Sequence, residues 1–159
     1  FGRGDKTGLK NLKPELAARA AEASHGKPGR AIQFARQPDL MGDRARLAQR
    51  CAAVAAEGTG GRFRYASDLA ERFRKERAAV LVEIDVWEGF WEERLRNGAS
   101  EGGRSTDLAG YVEALGAIRQ AREDLQTNVI PRTAFELMLL SFPRVTLAVS
   151  PEEEPVAHA

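Results

Sequence analysis

Residues 68–97 read DLAERFRKERAAVLVEIDVWEGFWEERLRN, thirty residues with no proline and one glycine, Gly89. Leu69, Phe73, Val80, Ile84, Trp87, Trp91 and Leu95 recur along it at spacings of three, four or seven. That period places them on one stripe of an amphipathic α-helix. An unbroken helix of this length spans about 45 Å, and a bend near residues 75–77 is compatible with the pattern. Ser67 is the expected N-cap, with Glu71 close behind it. The apolar face formed by Leu81, Ile84, Trp87, Phe90 and Trp91 is wider than a small bundle needs, so a shared surface is expected around Trp87, Phe90 and Trp91.

Upstream of this segment, Gly58, Thr59, Gly60 and Gly61 form an expected stop. Before them a helix is predicted from about Leu40 to Glu57, with Asp39 as its cap. Its apolar face is Leu40, Ala45, Leu47, Cys51 and Val54. Two shorter helices open at Pro14 and Pro28, since proline suits a first helical turn, and Gly26 can end the first of them. Downstream, residues 97–105 (NGASEGGRS) form a loop. A helix capped by Thr106 or Asp107 follows, with a face of Leu108, Tyr111, Val112, Leu115, Ile118 and Leu125. It ends near Asn128, because Pro131 disfavours helical geometry at Ile130. A short apolar helix then runs from Pro131 to about Phe142. Phe135, Met138 and Leu139 are expected to pack on the Trp87 or the Tyr111 helix. The rest of this apolar segment is a second candidate contact surface.

No stretch alternates with period two over a useful length, and VTLAV (145–149) is the only strand-like run. The fold class is therefore all-α. The division reads as a mobile residues 1–13, a helical pair over 14–37, a helical bundle over 38–144 and a mobile acidic tail over 145–159. The chain of 159 residues is long enough to bury a core without staples. Lys+Arg total 24 against 23 Asp+Glu, a net charge of +1, which argues against a chain acting as a polycation on nucleic acid. The single cysteine, Cys51, cannot form an internal disulfide and fits a reducing compartment. No apolar run is long enough for a membrane span and the N-terminus has no apolar signal core, so a cytoplasmic location is expected.

The chain offers little for catalysis. A phosphate-binding loop needs Gly-x-x-x-x-Gly-Lys-Ser/Thr, and the one Gly-Lys pair, Gly26-Lys27, runs into Pro28. His25 and His158 lie far apart, and no Cys or His pair has ligand spacing, so no metal and no cofactor are expected. Cys51 on an apolar helical face reads as core rather than nucleophile. Glu92-Glu93 and the run 152–154 read as solvated surface, and Arg3-Gly4-Asp5 as chance. Arg62, Arg64, Arg72 and Arg74, interleaved with Phe63, Tyr65 and Phe73, could contact phosphates. Asp68, Glu71 and Glu76 dilute that charge, and a charged helix surface is the preferred reading. A soluble helical interaction module without an active site is the reading these residues give.

Two segments add a resemblance. SHGKPGRAIQFA (24–35) resembles the end of the lid domain in clamp-loader subunits of the AAA+ class, where a helix ends in a Gly-x-Pro-Gly turn. RQAREDLQTNVIPRTAFELMLLSF (119–142) is similar to their closing segment: a long helix, an Asn-containing break, a proline and an apolar helix. The order of features matches over about residues 14–144. It is most similar to the clamp-loader subunits of bacterial DNA polymerase III, the delta-prime kind first and the gamma/tau kind next. The resemblance implies the tail of a lid domain followed by a helical collar domain, and thus a fragment of a longer protein. It implies a part in DNA replication, in which collars pack side by side to load a sliding clamp. The implied partners are other clamp-loader subunits, of gamma/tau and delta type, with clamp and primed DNA reached only through the full complex. In ATP-hydrolysing relatives the lid turn carries an arginine that touches nucleotide. Within the turn Gly26, Pro28, Gly29 and Arg30, Gly29 occupies that place, so the resemblance implies a subunit without ATP turnover. An unrelated helical adaptor and, less favoured, a nucleic-acid-binding helical module are the alternatives.

Overall fold

The computed structural model describes residues 13–24, 26–36 and 39–146. Among them lie seven helices: α1 (Pro14–Ala23), α2 (Pro28–Arg36), α3 (Asp39–Ala56), α4 (Thr59–Lys75), α5 (Arg77–Ser100), α6 (Ser105–Asp124) and α7 (Pro131–Leu140). No strand occurs among the described residues. The all-α expectation holds. The expected mobile segments 1–13 and 145–159 lie almost wholly outside the described residues, as do His25 and His158.

The decisive segment is two helices rather than one. It breaks at Glu76, where φ is −136° and ψ 52°. The last turn of α4 closes there, with Glu76 N–H donating to Arg72 O at 2.7 Å. α5 then runs back alongside α4, bringing Arg72 to Glu83 and Tyr65 to Trp87. The break follows from the stripe itself. Folding it in half lets Leu69 and Phe73 face Val80, Ile84 and Trp87 within one core, which a straight helix could not do. The helix also starts earlier than expected. Glu57 and Gly58 lie outside the helices, and Thr59, Gly60 and Gly61 form the first turn of α4. Ser67 is therefore in mid-helix and caps nothing.

α5 is the central element. Val80, Glu83, Ile84, Val86, Trp87, Gly89, Phe90 and Trp91 are buried along it. α3, α4 and α6 pack around α5, and α7 lies across α4 and α6. The Pro131 helix thus packs on the Tyr111 helix, one of its two expected partners, and more fully on α4, through an edge-to-face contact of Phe135 with Phe73 at 5.8 Å between ring centres. Trp87 and Trp91 instead meet Phe142, just beyond α7, at 4.8 and 5.2 Å. Edge-to-face and offset ring pairs of this kind contribute about 0.5–1.5 kcal/mol each beyond their buried area.

The α5–α6 corner explains the glycines of residues 97–105. α5 continues to Ser100, and Gly102 turns the chain with φ +68°. A Cβ on Gly103 would lie 2.8 Å from the backbone Gly98 O, so glycine there allows the corner to close this tightly. On α6 the inward face is Ala114, Ile118 and Ala121 with Leu125 following. Val112, expected there, is exposed. Small alanines let α6 approach α5 closely, and that face is invisible to a pattern that counts large apolar residues.

α1 and α2 pack on each other around Gly26, whose φ is +78°. Ala20, Ser24 and Ala35 are buried. No described side chain of α1 or α2 belongs to the main core, which gathers residues from Leu47 to Val145.

Candidate functional site

Three polar assemblies stand out against the aromatic core. The first surrounds Glu83, which is 1% exposed. Glu83 lies on the α5 stripe one turn before Trp87, so it must point inward with it. Tyr65 Oη–H donates to Glu83 Oε1, and Arg72 Nη1 donates to Oε2 at 2.8 Å. Trp87 Nε1–H donates in turn to Tyr65 Oη at 3.3 Å. Asp68 bridges Arg72 to Arg50 on α3, at 2.9 and 3.0 Å, and the Arg50 guanidinium lies over the Tyr65 ring. Burial pushes the Tyr65 hydroxyl far above the ordinary tyrosine range, with the Cys51 and Glu83 charges acting the same way. Burial also raises the Cys51 thiol, with Glu83 second. Both stay protonated, so Cys51 is an inert core residue.

The second assembly is built on Arg62, 7% exposed at the start of α4. Its Nη1 donates to Leu139 O at 2.9 Å and to Phe142 O, and its Nη2 to Ala55 O at 3.0 Å and Pro143 O at 3.3 Å. The final carbonyls of a helix have no intrahelical donors. One guanidinium, with its five fixed N–H groups, supplies donors at the ends of both α3 and α7. Burial lowers the Arg62 pKa, and the neighbouring Arg144 charge does so as well. Arg144 and Val145 finish the closure, donating to Ala56 O and Ala55 O.

The third assembly lies where α2 meets the bundle. Asp85 and Glu88 are both held by Arg122 of α6, at 2.6 and 3.0 Å. Arg30 reaches Asp85 at 4.0 Å and Lys27 reaches Glu88 at 3.6 Å. Arg44 of α3 faces the same group. Burial lowers its pKa, Arg30 adds to that, and Asp85 opposes it.

Several expected site residues must be reassigned. Trp87, Phe90 and Trp91, expected at a shared surface, are buried within this one chain, and Phe135, Met138 and Leu139 are buried with them, packed inside the bundle rather than at an interface. The break at Glu76 creates enough facing surface to cover them. Of the candidate phosphate contacts, Arg62 is closed inside four carbonyls and Arg72 is bound to Glu83 and Asp68. Neither offers a free guanidinium. Arg64 is exposed and pairs with Glu57 at 3.7 Å. Arg74 is exposed in a shallow groove with Ser67, Ala70, Glu71 and Arg132. The four arginines thus point in different directions around α4 and form no single basic face. In the turn of Gly26, Pro28, Gly29 and Arg30, Pro28 starts α2 and Arg30 faces Asp85.

Sequence reasoning missed Glu83, Asp85, Glu88 and Arg122. Only Glu83 carried a signal, since it sits in register with Val80 and Trp87 on an apolar stripe. Among the described residues no group of three or more His, Cys, Asp and Glu side chains is placed to hold a metal ion, and no helix is long and apolar enough to cross a membrane. No family model, no curated protein and no solved structure matches the chain.

Proposed function

We propose that this chain is an assembly element of a clamp loader in bacterial DNA replication: the end of a lid domain, α1 and α2, joined to a collar domain, α3 to α7. On this reading it works in the cytoplasm and carries out no catalytic step. It holds neighbouring clamp-loader subunits together, most nearly as a delta-prime-like subunit. The carrying observation is the outward side of α7. Ile130, Leu137 and Leu140 are 67%, 57% and 44% exposed on the face opposite Phe135 and Met138. A closing helix that is apolar on both sides has a second surface to cover, and contiguous apolar surface of this kind marks partner sites. The helix pair with its Gly26 turn, ahead of a bundle that ends in a proline-led helix, agrees with the family order that the sequence resembles.

The test is light scattering after size exclusion, on the chain alone and then mixed with the gamma/tau-type subunit from the same cell. A mixed complex of defined mass is expected. The double substitution Leu137→Asp and Leu140→Asp should abolish it while leaving the helical content and melting temperature of the chain unchanged. A chain that stays monomeric in the mixture, together with a full-length gene product that does the same, would remove the clamp-loader reading. Self-association through the same face would favour the helical adaptor.

A further inference from the structure

The junction between α2 and α5 holds four cations, Lys27, Arg30, Arg44 and Arg122, around two carboxylates, Asp85 and Glu88. The cations do not share the carboxylates equally. Arg122, from within the bundle, holds both at hydrogen-bond distance, 2.6 and 3.0 Å. Lys27 and Arg30, from the helix pair, stand farther off at 3.6 and 4.0 Å. Each carboxylate therefore keeps a cationic partner without the helix pair, while the single Arg122 charge leaves the pair with a net negative charge that attracts Lys27 and Arg30. Moving α2 away breaks two long ion pairs, uncovers the Arg30 side chain and leaves no carboxylate alone. No described side chain of α1 or α2 enters the main core.

From this arrangement we propose that α1–α2 is docked on the bundle by an electrostatic latch, Lys27–Glu88 and Arg30–Asp85, with Arg122 holding the carboxylates ready when the latch is open. The two states differ in whether α2 lies against α5. The closed state is favoured at low ionic strength, because Lys27 and Glu88 are substantially exposed and their attraction is screened by salt. Arg122 and Arg44 set the sense of the device. Their charge remains on the bundle in both states and repels Lys27 and Arg30, which makes the closed state shallow and reversible. The latch does not depend on the clamp-loader reading, since it rests only on charges within this chain.

Paired fluorophores test it on the full chain, with cysteines introduced by Glu22→Cys on α1 and Ala99→Cys on α5. Both positions are exposed, whereas Cys51 is fully buried and does not compete for label. Salt is raised from about 0.01 M to about 1 M, which shortens the Debye length from about 30 Å to about 3 Å. The ratio of docked to released chains is expected to fall roughly tenfold, the scale of two exposed ion pairs. The variant carrying Lys27→Gln and Arg30→Gln should show the released signal already at low salt, with no further response. These substitutions leave Arg122 with both carboxylates, so the bundle stays intact. A transfer efficiency that ignores salt, or one that responds equally in the Lys27→Gln/Arg30→Gln variant, overturns the latch.

Discussion

The bundle and the helix pair are joined to the same α5 by opposite means. On one side of α5, Trp87 and Trp91 meet Tyr65, Tyr111 and Phe142 in a dry aromatic cluster. On another, Asp85 and Glu88 meet α2 across 3.6 to 4.0 Å through partly exposed ion pairs. Burial of apolar area contributes about 25 cal/mol per Å², whereas an exposed ion pair contributes about 0–1 kcal/mol. One helix thus fixes its neighbours on one face and holds a neighbour loosely on the other. The difference lies in residue choice at positions only one or two apart.

The polar strut inside the aromatic face is the sharpest place to break this contrast. Glu83→Ala leaves the Tyr65 hydroxyl without its acceptor and the Arg72 guanidinium with Asp68 alone. It should cost about 3–5 kcal/mol, the scale for removing one partner of a buried pair, read from urea unfolding. A loss below about 1 kcal/mol would mean that the strut is dispensable. Next in size is Arg62→Ala, which withdraws the donors from four carbonyls at the ends of α3 and α7. A loss of about 2–4 kcal/mol is expected. Arg62→Lys should recover only part of it, because an ammonium lacks the planar fork.

A smaller effect separates the interior chemically. Cys51 and Tyr65 hold their protons more tightly in the folded chain than in the unfolded one. The stabilising difference is therefore fully present below the ordinary thiol value of 9.0 and is lost progressively as pH rises above it. Melting temperature should begin to fall above about pH 9 in the native chain. In Cys51→Ala the fall should begin nearer pH 10, where only tyrosine remains. The smallest effect belongs to the latch. Lys27→Gln with Arg30→Gln should move the melting temperature of the bundle by no more than about 0.5 kcal/mol in equivalent stability. A larger loss would mean that the pair and the bundle share one cooperative unit.

The helical class and most core positions were legible in the sequence, because the 3.6-residue period of Leu69, Phe73, Val80, Ile84 and Trp87 survives whichever way the chain is folded. A bend near residues 75–77 is compatible with the pattern and the chain does break there, at Glu76, but the full reversal of direction is not visible in the pattern. Residues 74–77 are Arg, Lys, Glu and Arg, all acceptable in a helix, and only the need to cover the stripe turns the chain there. The same fact explains why Trp87, Phe90 and Trp91 lie inside rather than at a shared surface. A stripe too wide for a straight helix is the right width for one folded on itself. Arg62 was beyond a local reading, since three of its four carbonyl partners lie 77 to 81 residues away. An arginine among arginines gives no sign of which one will be buried.

That long reach has a consequence during synthesis. Arg62 leaves the ribosome well before Leu139, Phe142 and Pro143, whose carbonyls it holds. Until those residues emerge, the nascent chain carries an unmatched guanidinium beside an aromatic cluster that lacks Phe135 and Phe142 as its cover. Contacts this distant in sequence form late, and exposed apolar surface in such intermediates is where aggregation and chaperone capture begin. The fold is locked from its last turn backwards, and a nascent chain stalled short of residue 139 would present its tryptophans to the cell rather than to itself.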